Sequence, residues 1–234
     1  MQFKYTWIPA YAAIAQRLLY ERGNQLGLIE VLKQIGADGF HDEDENGNDI
    51  ELQEIDGFTF LCYINKYGDV NRKKLLNKLC ELWHIDVNVK DVCGVPNANA
   101  RRLRMFPFKK ERKNNEVERL WNFFESVLYD TVNNENFADV LTIRNTGWQK
   151  ITETMFWIRP DKYLCLNSVV KPYLKETQNI ETDFRNFSEY VSVCELIKTK
   201  MQKPFEQISY EAFLYSIYKN NPVQYFKIGS TAGN

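Results

Sequence analysis

The sequence is poor in the residues that build metal and redox centres. It has two histidines, His41 and His84, and five cysteines, Cys62, Cys80, Cys93, Cys165 and Cys194, none of them paired as Cys-x-x-Cys. A structural zinc site therefore lacks ligands. An odd set of widely spaced thiols in apolar stretches such as Phe60-Leu61-Cys62-Tyr63 reads as free cysteines of a reducing compartment. No apolar run reaches the roughly 18 residues a membrane span needs. Met1 to Trp7 carry no charged segment leading into an apolar one, so a cytoplasmic protein with no membrane contact is expected. Neither charge dominates: 30 Lys plus Arg stand against 31 Asp plus Glu, and any attraction to a polyanion must be local. Also missing are a Gly-x-x-x-x-Gly-Lys-Ser/Thr loop to cradle nucleotide phosphates and the Asp, then Glu-x-Lys, of an acidic nuclease core. The chain is expected to need no cofactor or metal and to act by binding rather than by catalysis.

What remains is enough to fold. The 234 residues are 44% hydrophobic and 14% aromatic, which fills a core without staples. Apolar residues recur at helical spacing over Ile8 to Ile35, broken near Gly23 to Gly27, and again over Arg72 to Trp83 and Glu116 to Tyr129. Further helices are predicted over Asn136 to Leu141, Trp148 to Ile158, Phe187 to Met201 and Ser209 to Tyr218, the last ending before the breaker Asn220-Asn221-Pro222. Asn114 or Asn115 is the predicted cap of the helix at Glu116. Phe58 to Ile64 fits strand or helix. Strand is expected only there and in the tail, giving a mainly α, multi-helix domain with little β. Trp83, Trp121, Trp148 and Trp157 fall at core-facing positions; Trp148, which follows Gly147, is the one placed to meet a ligand.

Residues 36–56 hold nine carboxylates and no Lys or Arg, and read as a loop. Asp42-x-Asp44-x-Asn46-Gly47 copies the opening of a calcium loop, but the eighth position is Asp49 and the twelfth is Gln53, which cannot supply the bidentate carboxylate. A solvated acidic loop is the expectation.

The densest charge lies at 101–113, where Arg101, Arg102, Arg104, Lys109, Lys110, Arg112 and Lys113 interleave with Phe106 and Phe108. Cations of this density neutralise phosphates while rings stack on bases; equally, they could offset the acidic loop. A second candidate is the turn Arg144-Asn145-Thr146-Gly147 between two helices, followed by Trp148 and Lys150. Such a turn aims backbone amides outward at a helix start, where the dipole also favours an anion. The segment 141–168 resembles the helix-hairpin-helix DNA glycosylases. Their catalytic aspartate would fall at Asn167, which cannot ionise, and Gln149 does not replace a nucleophilic lysine, so that chemistry is expected to be absent.

A longer resemblance runs through Trp7-Ile8-Pro9, Ile55-Asp56-Gly57-Phe58-Thr59-Phe60, Asn65-Lys66, Asn71-Arg72, Gly94-Val95-Pro96-Asn97, Leu120-Trp121-Asn122-Phe123-Phe124-Glu125 and Met155 to Lys162. These blocks, in this order, are similar to the N-terminal region of McrB-type modification-dependent restriction NTPases. The resemblance implies a helical N-terminal domain over 1–222, divisible into lobes 1–115 and 116–222. Residues 223–234 would begin a β-containing base-recognition module. An AAA+ motor would follow in the same polypeptide, with a nuclease subunit as partner. The expected function is a DNA-binding or DNA-positioning module, with a docking scaffold for motor or nuclease, through the acidic segment, as the alternative and a degenerate glycosylase behind both.

Overall fold

The computed structural model describes residues 5–220. The ten helices among them are α1 (Trp7–Tyr20), α2 (Gln25–Ile35), α3 (Gly57–Asn65), α4 (Asp69–Leu82), α5 (Glu116–Leu128), α6 (Asn134–Leu141), α7 (Trp148–Ile158), α8 (Val170–Gln178), α9 (Phe187–Met201) and α10 (Phe205–Asn220). The only strands among those residues, β1 (His41–Glu43) and β2 (Asp49–Glu51), form an antiparallel hairpin with His41 opposite Glu51. The protein is a mainly α, multi-helix domain with a helix-turn-helix segment at α6 and α7.

Local chemistry sets the helix ends. Asn24 accepts the Gly27 amide at 3.2 Å to start α2, which closes on Gly36 at φ +103°. Asp56 accepts the Phe58 and Thr59 amides to start α3, and Asn133 and Asn136 form a reciprocal capping box at α6. Each side chain satisfies donors that the first turn leaves without partners.

The core is one cluster running from Trp7 to Ala212. Helix α1 lies at its centre, against α3, α4, α5 and α7, while α3 also packs on α5 and α7. Thus the helices before residue 115 bury their apolar faces directly on those after it. Helix α6 rests on α5 and α9, and α8 on α10. Among the described residues no helix is long and apolar enough to cross a membrane.

Four local expectations are corrected. Phe58–Ile64 is helix, because Asp56 caps it and α2, α4, α5 and α7 surround it on every side. The strands sit instead inside the acidic segment, where Asp44 gathers the amides of Asn46 and Asn48 at 2.9 and 2.8 Å and turns the chain back on itself. Helix α8 was not anticipated; Pro172 in its first turn removes only an amide that has no helical partner. Asn115 does not cap α5 through its side chain. The Glu116 carboxylate, in the first turn, instead accepts the Lys113 and Asn114 amides at 3.2 Å and so fixes the chain just ahead of the helix. The expected strand of the tail and the module at 223–234 lie outside the described residues.

Candidate functional site

The cationic segment runs along the acidic hairpin, and most of its charge is used there. Asp42, 1% exposed, accepts Arg104 Nη1 at 2.8 Å, the Lys109 amide at 2.9 Å and the Arg112 guanidinium. Arg112 also reaches Glu54 at 2.5 Å, and Lys110 pairs with Glu43. The guanidinium of Arg104 lies 3.9 Å over the Phe108 ring and that of Arg112 4.6 Å over Phe106, so the interleaved rings stack on the chain's own arginines. This arrangement also dismantles the calcium-like pattern, since Asp42 turns to the arginines while Asp44 holds the turn. Of the candidate phosphate ligands, Arg101, Arg102, Lys109 and Lys113 are exposed and form no ion pair among the described residues.

The turn between α6 and α7 is stitched from within. Thr146 Oγ1 donates to the carbonyls of Val140 and Ile143 at 2.8 and 2.7 Å, and Asn145, at φ +79°, donates its amide to the Phe106 carbonyl at 2.9 Å. Gly147 ends the turn at φ +142° and ψ 160°, a region nearly reserved to glycine. Among the described residues no atom lies within 4 Å of where its Cβ would stand. No side chain caps α7, and the amides of Trp148, Gln149 and Lys150 have no acceptor among the described residues. Trp148, 38% exposed, leans on Phe137 and Phe184 at 5.4 and 4.9 Å. Arg144 pairs with Glu111.

Lys150 does something other than bind phosphate. Its ammonium donates to the carbonyls of Arg102 and Arg104 at 2.7 Å each and of Asn145 at 3.2 Å. Burial pushes its pKa below the ordinary lysine value, against the pull of Cys62, Asp56 and Glu153. Lys150 therefore clips the backbone at Arg102 and Arg104 to the turn at Asn145.

A cavity of about 330 Å³ adjoins the same helical turn. Its floor is α7, through Gln149 and Glu153. Its walls are the Gly94–Asn97 loop, the Asn167–Val170 turn and α10, through Ser209, Tyr210 and Phe213. The loop is held from three sides: Trp7 Nε1 donates to the Cys93 carbonyl at 2.9 Å, Ser209 to Gly94 at 2.7 Å, and the buried Arg72 to Val95 at 2.8 Å. Gly94, at φ +77°, leaves no room for a Cβ, which would come 2.6 Å from the Glu206 carbonyl. Glu153, 8% exposed, accepts Asn167 Nδ2 at 3.0 Å and Gln149 Nε2 at 3.5 Å, both on Oε1. Burial pushes its carboxyl up to about 7, against those two amides and Lys150. Asn167 turns its other end to α8, accepting the Val169 and Val170 amides at 3.0 and 2.9 Å. An amide can face Glu153 and cap α8 at once; a carboxylate there would set two anions against each other.

The sequence did not point to Glu153 because a lone glutamate on a helix reads as solvent-facing. The available signal was its place inside 151–158, a run that is otherwise free of charge and wholly buried. A family model described as a domain of unknown function, DUF8425, matches residues 7–215. No curated protein and no solved structure matches the chain.

Proposed function

The chain belongs to the DUF8425 family, and we propose that this member is a non-catalytic nucleic-acid-binding module that grips phosphate at the turn before α7. The amides of Trp148, Gln149 and Lys150, with the positive end of the α7 dipole, supply neutral donors. Arg101 and Arg102 supply charge. The observation that carries the reading is the Lys150 clip, which ties the backbone next to those two unpaired arginines to the turn that opens α7, a helix start with a glycine before it and no side-chain cap. Arg104, Lys110, Arg112, Arg144 and Lys150 have internal partners and are assigned to holding the surface together. The ordered blocks similar to McrB-type proteins support a place in a modification-dependent restriction complex, with an AAA+ motor and a nuclease subunit as partners.

A scaffold role is the second reading. The acidic segment is a poor docking surface for it, since Asp38, Asp42, Glu43, Glu51 and Glu54 all have cationic partners within the chain. Helix α10 serves it better, because Phe213 and Leu214 are each 45% exposed and Tyr218 67%.

Fluorescence anisotropy with a labelled DNA duplex over a salt series tests the proposal. Each neutralised phosphate releases counterion, so log affinity should fall linearly with log salt. Replacing Arg101 and Arg102 together by alanine should flatten that slope by roughly two units, one per lost contact, for every sequence tried. Lys110→Ala, whose ammonium is already matched by Glu43, should leave the slope unchanged. An unaltered slope in a folded double variant would remove this face from the proposal and move the weight to the scaffold.

A further inference from the structure

We infer that the cavity beside Glu153 is a binding site for a neutral planar heterocycle of nucleobase size, carrying an N–H donor and an acceptor on adjacent atoms. Size comes first: about 330 Å³ is the lower range of small-molecule sites. Charge comes next. Among the described residues the lining includes Asp69 and Glu153 and no lysine or arginine, so a phosphate or carboxylate ligand would meet two carboxyls there and no cation. The walls at Val95, Pro96, Val170 and Phe213 offer apolar and aromatic surface to a flat ring.

The polar end is selective. Glu153 Oε1 is taken by the two amides, while Oε2 accepts no hydrogen bond among the described residues and is not among the fully buried unpartnered atoms, so it borders the cavity. The 3.5 Å contact from Gln149 is at the limit of a hydrogen bond and leaves that carboxamide free to turn to a ligand. A carboxyl oxygen and a carboxamide side by side match an N–H lying next to a ring nitrogen or carbonyl, the edge of a cis-amide or amidine. Burying either group without a partner carries its full desolvation cost, so a purely hydrocarbon ring is a poor ligand.

That the heterocycle belongs to a nucleic acid rests on the binding proposed above: Gln149 lines the cavity and sits in the first turn of α7, so cavity and phosphate-gripping turn share an edge. The two ideas are separable by experiment. Adenosine, guanosine, cytidine and thymidine carry no phosphate and should reach the cavity without the turn. Titrated into the full chain at millimolar concentration, at least one should raise the melting temperature and shift the backbone amide resonances of Gly94, Val95, Asn97 and Asn167–Val170. Glu153→Gln, which keeps shape but removes the carboxyl, and Phe213→Ala, at a half-exposed wall, should each weaken that binding at least tenfold. The Arg101, Arg102 double variant should bind the nucleoside as the parent does. Loss of duplex binding with nucleoside binding kept overturns only the phosphate reading. No response to any nucleoside, equal binding in both pocket variants, or binding of benzamidine in place of nucleosides overturns the cavity assignment.

Discussion

Asp42 and Glu153 are both carboxylates withdrawn from water, and the protein treats them in opposite ways. Asp42 lies in the β1–β2 hairpin between two guanidinium groups, with the Lys109 amide on the same oxygen as Arg104. Glu153 lies on α7 with two carboxamides on one oxygen and a cavity at the other. The first has its charge balanced on the spot; the second has dipoles in contact and only the field of Lys150 beyond them, and its carboxyl is pushed up to about 7 by burial. A fully matched buried carboxylate holds two segments together, whereas an under-matched one facing a cavity has binding capacity left over, which is why it marks a candidate site.

The difference predicts stability changes of opposite sign. Asp42→Asn leaves Arg104 and Arg112, whose side chains are 10% and 11% exposed, without their common partner. Uncovering one half of a buried ion pair costs about 3–5 kcal/mol, so urea denaturation should show a loss of that order and the acidic hairpin should become labile to proteases. A loss below about 1 kcal/mol would mean that Glu54 and the aromatic rings suffice, and would break the comparison.

Glu153→Gln should go the other way, and only at high pH. The native carboxyl titrates near 7 against an ordinary value of 4.5, so between those pH values the native state holds more proton than the unfolded chain. Its contribution is fully present below about 4.5 and is lost as pH rises through about 7. The groups facing it are Lys150 on the same helix, Cys62 of α3 and Cys165, with Asp69 also lining the cavity. Glutamine carries no such penalty. The variant should match the parent at pH 5 and exceed it at pH 8 by about 1–3 kcal/mol. A variant equal to or weaker than the parent at pH 8 would show that Glu153 is compensated after all.

How much of this was legible in the sequence depends on distance along the chain. Helix α5 was readable because Val117, Leu120, Trp121, Phe124, Val127 and Leu128 form one stripe, and the turn at 143–147 because Gly147 punctuates two apolar helices. The fate of the cations was not. Arg104 and Asp42 are 62 residues apart, and a charge run looks the same whether a partner hairpin covers it or solvent does. Both outcomes were open at that point, and the pairing divides them: residues 104–112 are largely neutralised, while Arg101 and Arg102 stay free. The cavity was legible only in pieces. Gly94-Val95-Pro96-Asn97 stood out as a block, but its meeting with Glu153, Asn167 and α10 needs the whole helical packing.

A third buried carboxylate calibrates the scale and should show the smallest effect. Asp56 is fully buried and has no cation in contact among the described residues, but it accepts the Phe58 amide at 2.8 Å, the Thr59 amide at 3.1 Å and the Thr59 hydroxyl at 2.5 Å. Burial pushes its carboxyl up to about 6, with those three donors pulling the other way. Asparagine is as good an N-cap as aspartate, so Asp56→Asn keeps both backbone amides satisfied through its carbonyl oxygen. What it loses is the acceptor for the Thr59 hydroxyl, whose oxygen is already engaged by the Met105 amide at 3.0 Å. One unpaired hydroxyl proton set against the removal of a buried charge leaves a net loss within about 1 kcal/mol at pH 7. Asp56→Ala, which removes all three bonds, should cost about 2 kcal/mol in the same denaturation experiment. Should Asp56→Asn prove as damaging as Asp42→Asn, the number of donors rather than the presence of a cation would set how well a buried carboxylate is matched. Glu153, with two donors, would then stand nearer to Asp56 than to an open site.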